Sequence, residues 1–186
     1  EHEIQAQRVI NSKFPNLKVS ISSNVDPTFR EYERTVVTAF DAYLKPVVDS
    51  YLSKLDKKLK KSGLLNEPKL MQSRGGMSAI SIAREYPVRL FLSGPAAGVV
   101  GAASVGRAVG EKELISVDIG GTSCDISLIT NGRPKLRTEG EIAGYPVRVN
   151  MVDVNAIGAG GGSLVWLDGG GGLRVGPGSA GAHPGP

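Results

Sequence analysis

The chain has 186 residues, 40% of them hydrophobic and 22% charged, with a net charge of +4. That balance is ordinary for a soluble globular protein, and the length allows one domain or two small ones, each with a core. No apolar run reaches the ~18 residues of a membrane helix, Glu1-His-Glu-Ile4 is not a signal peptide, and the single Cys124 excludes an internal disulfide and fits a reducing cytoplasm. The lysines at positions 54, 57, 58, 60 and 61 lack interleaved aromatics and read as cations at a helix C-terminus, not as a nucleic-acid surface. The chain lacks an initiator Met and stops at Gly-Pro within a glycine-rich stretch, which suggests an internal piece of a longer polypeptide.

Lys18–Ile21 alternates weakly as a strand. Asp26-Pro27 reads as a helix start, with Asp26 as N-cap and Pro27 at the first helical position. Phe29, Tyr32, Val36, Phe40, Tyr43, Leu44, Val47, Tyr51, Leu52, Leu55 and Leu59 then recur at helical spacing, as a core-facing stripe. Pro46 should kink or divide that helix, and Gly63 should cap it. A short strand over Lys69–Gln72, a helix over Ser78–Glu85 and an apolar run over Val88–Leu92 follow. Ser93–Ala103 is rich in Gly and Ala and opens a helix that reaches Val109. Glycines in a helix cost about 1 kcal/mol each against Ala, so they imply close backbone contact, either static packing or an interdomain hinge.

Beyond Gly110 the pattern becomes β. Strands are predicted over Leu114–Ile119, Cys124–Thr130 and Lys135–Gly140, with a hairpin turn at Asn131-Gly132. Tyr145–Val149 is a fourth short candidate. Ser163–Leu167 is a strand, Asp168–Gly172 a turn, and Val175–Pro186 a loop.

The segment Asp118-Ile-Gly-Gly-Thr-Ser-Cys-Asp125 carries the chemistry. Adjacent glycines admit an oxyanion that a Cβ would obstruct. Successive N–H groups in such a turn form an anion nest, and Thr122 adds a hydroxyl. Asp118 and Asp125 are hard oxygen donors suited to Mg²⁺ through water. Asp118, at the end of a buried strand, is the better candidate to orient an attacking water or hydroxyl. Asp-x-Gly-Gly also occurs in plain β-turns. Arg74 beside Gly75-Gly76 either faces an acidic substrate or packs at a strand end. Cys124 reads as a structural thiol, and His2 and His183 as solvent-exposed side chains. Ser93 and Ser123 have no His nearby to serve as base.

A small-residue helix, an Asp-x-Gly-Gly-Thr hairpin, further strands and a second glycine turn resemble the actin, sugar-kinase and heat-shock-chaperone ATPases. The motifs Ser93-Gly-Pro-Ala-Ala-Gly98, Asp118-Ile-Gly-Gly-Thr-Ser123, Ile157-Gly-Ala-Gly-Gly-Gly-Ser163 and Val175–Pro186 resemble the hydantoinase A and 5-oxoprolinase family. Met71-Gln-Ser-Arg-Gly-Gly76 and Phe29-Arg-Glu-Tyr-Glu-Arg-Thr35 fit it too, so the likeness runs from about Ser22 to the C-terminus. It implies an α/β, ribonuclease-H-like (actin-like ATPase) fold in fragments, with a mixed sheet and a long helix. Residues 1–92 would end a first domain, and 93–186 would open a second that bears the phosphate hairpin.

The resemblance further implies ATP and Mg²⁺ as cofactors and ATP-dependent opening of a hydantoin or 5-oxoproline ring through phosphorylation of the carbonyl oxygen. Related members carboxylate ketones. In this reading Gly120, Gly121, Thr122 and Ser123 contact phosphate, Gly160, Gly161 and Gly162 lie near the nucleotide, Asp118 is catalytic, and Asp118 and Asp125 act through Mg²⁺. A second hydantoinase-type subunit or fused domain is the expected partner, with neither nucleic acid nor membrane. Three departures stand out. Cys124 stands where Thr is expected, Arg74 where Asn is expected, and Asn155 where many members carry His. The family's first phosphate hairpin is absent, so the chain alone should be inactive. A sugar- or acetate-kinase-like phosphotransferase and a non-catalytic module are the alternatives.

Overall fold

The computed structural model describes residues 1–142 and 144–183. In chain order the elements are α1 (His2–Lys13), α2 (Ser22–Val25), α3 (Glu31–Lys61), β1 (Lys69–Met71), β2 (Met77–Ala79), α4 (Ile80–Glu85), a 3₁₀ turn (Pro87–Leu90) and α5 (Ser93–Val109). The strands β3 (Leu114–Ile119), β4 (Cys124–Thr130), β5 (Arg133–Pro134), β6 (Leu136–Arg137), β7 (Gly140–Ile142) and β8 (Tyr145–Val147) follow. Last come β9 (Met151–Val152), β10 (Val154–Ile157), β11 (Ser163–Leu167) and β12 (Leu173–Ser179). The chain divides into two compact units, one of Glu1–Ser93 with Arg137–Met151, the other of Gly94–Leu136 with Val152–Pro186.

The first unit is built on α3. Val37 packs with Val88 and Val147, and around them lie Val25, Phe40, Phe91, Ile142 and Val149. Toward the other end of the helix, Leu52 packs with Ile80 and Ala83. Phe40 meets Phe91 edge-on, with centroids 5.9 Å apart, a favoured aromatic geometry. Asp41 is fully buried. One of its oxygens accepts from the Val88 N–H at 3.2 Å. The other accepts from the Ser20 hydroxyl at 2.6 Å and faces Lys45 Nζ at 3.4 Å. Burial of that carboxylate is thus compensated by partners from three segments.

Several expectations fail here. Asp26 does not cap α3: the helix begins at Glu31, behind Arg30 at φ +76°. Asp26 instead follows α2, where it accepts from Arg148 Nε at 2.6 Å and from the Thr28 hydroxyl. Pro46 does not divide α3, which runs from Glu31 to Lys61. Tyr32, Tyr43, Val47 and Tyr51 are exposed, so only part of the periodic stripe is core. Lys18–Ile21 is not a strand, and Val88–Leu92 begins within the 3₁₀ turn. Helix α1 gave no periodic signal because none of its residues is buried. Gly63 does cap α3. At φ +97° it lets its own N–H reach the Lys60 carbonyl and the Leu64 N–H reach that of Leu59, which completes a Schellman motif.

The second unit packs α5 on one face of an antiparallel sheet ordered β10-β4-β3, with β5 also on β4. Ala96, Val99 and Ala103 of α5, on one helical face, meet Ile129, Val152 and Val154. The Asn131-Gly132 turn has both residues at positive φ, the requirement of a two-residue hairpin. The strand β3 is not buried on both faces: Ile115, Val117 and Ile119 are exposed. The expected third strand is split among short pieces, with β7 paired to β8 in the first unit. The expected C-terminal loop begins as a strand: β12, which pairs with β11, runs from Leu173 to Ser179. Residues 184–186 of that loop lie outside the described residues.

Gly106 sets the fit of α5. A Cβ there would strike Leu114 Cδ1 and stand 2.9 Å from the Glu111 carbonyl oxygen, whereas Gly101 faces open space. Gly106→Ala should therefore destabilise by about 1–3 kcal/mol through overpacking, and Gly101→Ala should stabilise by up to about 1 kcal/mol through helix propensity. Urea unfolding of the two variants checks the contrast.

Burial alone would raise the Asp26 pKa, but the Thr28 hydroxyl and the Arg148 guanidinium outweigh it and hold the carboxyl below its usual value. A depressed folded pKa contributes stability above the unfolded value of about 3.9 and loses it as pH falls through the folded one. Arg148→Ala should cost about 3 kcal/mol at neutral pH, and the gap from wild type should narrow below about pH 4. Thermal melts across pH 2 to 7, roughly the carboxylate range, test this.

Candidate phosphate-binding site

All the residues expected to hold phosphate or magnesium lie in the second unit. The register of β3 and β4 sets Asp118 opposite Asp125, Ser116 opposite Ser127 and Leu114 opposite Ile129. Side chains alternate along a strand, and Leu114 and Ile129 face α5. Both aspartates therefore share the α5 face. The site of a Cβ on Gly98 of α5 lies 3.6 Å from Asp118 Oδ2, so a small residue on the helix leaves room beside the carboxylate. Gly98 was legible only as one of many small residues. Its place beside Asp118 follows from helix docking, which the sequence pattern does not encode.

Like charges directly opposed across a ladder are destabilising. Among the described residues neither Asp118 nor Asp125 has a salt-bridge or hydrogen-bonding side-chain partner. The pair fits a hard cation held largely through water. No group of three or more His, Cys, Asp or Glu side chains poised to hold a metal occurs among the described residues.

The turn between the strands is organised from behind by the Gly158–Ser163 loop. Gly161 N–H donates to the Gly120 carbonyl at 2.9 Å, and Gly162 N–H to the Gly121 carbonyl at 3.0 Å. Within the turn, Gly120 N–H donates to the Ser123 carbonyl at 2.9 Å. Within the loop, Gly160 N–H donates to Ser163 Oγ at 2.9 Å, and the Ala180 N–H donates to the Gly162 carbonyl at 2.8 Å. The contact is close enough to exclude side chains. A Cβ on Gly160 would lie 2.5 Å from the Gly120 oxygen and 2.7 Å from Thr122 N.

The consequence for the turn is electrostatic. The carbonyls of Gly120 and Gly121 are capped, while the N–H groups of Gly121, Thr122 and Ser123 have no backbone partner among the described residues. Gly120, Gly121 and Thr122 are exposed. Successive free N–H groups with their neighbouring carbonyls masked are the arrangement an anion requires. By contrast, the N–H groups of Gly160, Gly161 and Gly162 are all engaged within the protein, so these residues brace the turn.

Of the other candidates, Cys124 is half-buried on β4, and Arg74 is exposed in the first unit. His2 and His183 are exposed, as is Asn155 on β10. No helix among the described residues is long and apolar enough to cross a membrane.

The hydantoinase/oxoprolinase family model matches residues 34–186. The alpha subunit of caprolactamase from Pseudomonas jessenii is 38% identical over 185 residues, which cover 100% of this chain and 27% of the subunit. The 5-oxoprolinase 1 of Arabidopsis thaliana is 42% identical over 173 residues, covering 90% of this chain and 13% of that protein. The crystal structure of the ATP-dependent caprolactamase from P. jessenii superposes with a TM-score of 0.86 at 38% identity, over 100% of this chain and 27% of that one. Nucleotide-free acetone carboxylase, an ATP-dependent system, superposes at 0.74 with 30% identity, over 96% of this chain and 25% of that one. The mixed α/β fold is thus shared with both enzymes, and the chain spans about a quarter of each of these structures. By its family match, its relatives and its fold, this chain belongs to the hydantoinase/oxoprolinase family.

Proposed function

We propose that this chain supplies half of an ATP clamp in an enzyme that opens cyclic amides. The observation that carries the proposal is the Gly120–Ser123 turn, with the Gly120 and Gly121 carbonyls capped by the loop and the N–H groups of Gly121, Thr122 and Ser123 free beside two opposed carboxylates. Gly121, Thr122 and Ser123 would hold phosphate oxygens, with Gly120 as the pivot of the turn. Gly160, Gly161 and Gly162 would keep the turn in shape. Asp118 and Asp125 would hold Mg²⁺ through its waters, and that ion would neutralise phosphate charge. Asp118 would also orient the attacking group. In phosphoryl transfer such positioning and charge stabilisation supply most of the rate.

In the proposed reaction the amide carbonyl oxygen would take the γ-phosphoryl group of ATP with release of ADP; water would then add to the activated carbon, and the ring C–N bond would break with loss of inorganic phosphate, leaving an amine and a carboxylate. Likeness to caprolactamase and 5-oxoprolinase, both named for cyclic-amide substrates, supports this over the alternatives. Ketone carboxylation is the second reading, favoured by the likeness to acetone carboxylase. The proposal includes a ribonuclease-H-like, actin-like scaffold, with residues 1–92 closing a first domain and 93–186 opening a second. A cytoplasmic location and a second subunit belong to it as well; the caprolactamase relative is itself named as a subunit.

Calorimetric titration with a non-hydrolysable ATP analogue and Mg²⁺ tests the site. Asp118→Asn should weaken binding about tenfold, the loss of one charge-assisted contact, and chelation of Mg²⁺ should do the same to the wild type. Gly160→Ala should abolish saturable binding, because its Cβ would displace the turn. Binding unchanged in both variants would overturn the site.

ATP turnover by the 186-residue chain should be negligible. Robust turnover that disappears in Asp118→Asn would show that half a clamp is the wrong description. In the full-length protein, stimulation by sugars alone, and not by 5-oxoproline or hydantoins, would sink the cyclic-amide reading.

A further inference from the structure

A second feature of the molecule lies wholly within the first unit. A cleft of about 440 Å³ is lined by residues that include Arg74, Arg89, Arg148 and Gln72. Its floor is aliphatic, formed by Val25, Val37, Val88 and Val149, side chains that belong to the core cluster around α3. A cationic rim over an apolar floor is an unusual use of buried surface, because guanidinium groups are ordinarily placed against carboxylates.

The charges do not cancel. Three arginines line the cleft against one carboxylate, Asp26. That carboxylate is committed to Arg148 Nε and to Thr28. The Nη2 atom of Arg148 is buried with no hydrogen-bond partner. Arg89 lies over the Tyr86 ring, 4.3 Å from its centroid. Among the described residues neither Arg74 nor Arg89 forms an ion pair.

The rim is also held in place. The loop of the β1–β2 hairpin is closed by Gln72 N–H donating to the Gly76 carbonyl at 2.7 Å. The adjacent Ser73 is buried, and both its N–H and its hydroxyl donate to the Arg89 carbonyl, at 2.8 and 2.7 Å. These two bonds fasten the segment bearing Gln72 and Arg74 to the 3₁₀ turn bearing Arg89. Gln72 is itself 5% exposed, and its side-chain amide makes no hydrogen bond to the described residues. That amide lines the cleft and is therefore free to hydrogen-bond a ligand there.

We propose that this cleft binds a small carboxylate-bearing molecule, its carboxylate against the guanidinium groups of Arg74 and Arg89 and its apolar body on the valine floor. Planar guanidinium groups pair with carboxylates through two parallel hydrogen bonds, and the aliphatic floor rewards a hydrocarbon body that inorganic phosphate lacks. The assignment rests on the first unit alone, so it stands or falls separately from the nucleotide site.

The test is a ¹H–¹⁵N NMR titration of the 186-residue chain without nucleotide, using cyclohexanecarboxylate, the uncharged cyclohexanecarboxamide and inorganic phosphate. The carboxylate should bind about tenfold more tightly than the carboxamide, the worth of a charge-assisted contact. It should produce saturable shifts at the amides of residues 72–76 and 148–150. Arg74→Gln, an exposed position that should leave the fold intact, should remove most of that preference, and Arg89→Gln should do the same. The proposal is overturned by equal affinity for carboxylate and carboxamide, by phosphate binding as tightly as the carboxylate, by an unchanged preference in a folded Arg74→Gln, or by no saturable shift up to about 10 mM, where even a millimolar site fills.

Discussion

Everything proposed for the second unit depends on two backbone hydrogen bonds, from Gly161 to Gly120 and from Gly162 to Gly121. They set the polarity of the turn. A tight turn exposes both N–H and C=O groups, and an anion approaching it meets both signs. Once the loop has taken the Gly120 and Gly121 carbonyls, the N–H groups of Gly121, Thr122 and Ser123 stay free. The Asp118–Asp125 pair then adds negative charge at the strand ends. Free backbone donors and a pair of carboxylates are thus held a few residues apart by one ladder.

The same device, a short segment fastened through a backbone carbonyl, recurs in the first unit with different chemistry. There Ser73 grips the Arg89 carbonyl twice, and the groups so positioned are long cationic side chains. Asp41 supports the 3₁₀ turn from beneath through the Val88 N–H. In both units the interacting groups lie on loops or at the ends of the elements that flank them, and the buried apolar clusters hold those elements in place.

What could be read in advance was local. The strands β3, β4 and β11 have the bounds that alternation and flanking glycines predict, and Asn131-Gly132 forms the turn that its positive φ values demand. What could not be read was decided at a distance. Asp26-Pro27 has the local signature of a helix start, but Arg148, 122 residues away, claims the carboxylate. The aromatics of α3 share a helical period, yet the width of the neighbouring surface sets how many are covered, and Tyr43 and Tyr51 fall outside it. Val175–Ser179 is too rich in Gly and Pro to read as a strand, but pairing with β11 overrides composition. Within the candidate site the turn was evident from its motif. The roles of Gly98 and Gly160 were not, since each is defined by an atom of another segment.

The glycine-rich loop also has an unequal tolerance to sequence drift. Gly158 faces open space, and Gly161 has only an ordinary contact, 3.8 Å from the Gly120 oxygen. Gly160 and Gly162 stand against turn atoms at 2.5 and 3.0 Å. Because the loop acts through main-chain atoms, most of its side chains are free to vary while its function is kept. The apparent signature of four glycines therefore reduces to a spacing rule: small residues two apart, at 160 and 162, where the loop backbone stands against the Gly120 and Gly121 carbonyl oxygens. A distant relative that kept that rhythm alone would preserve the turn while losing the recognisable motif.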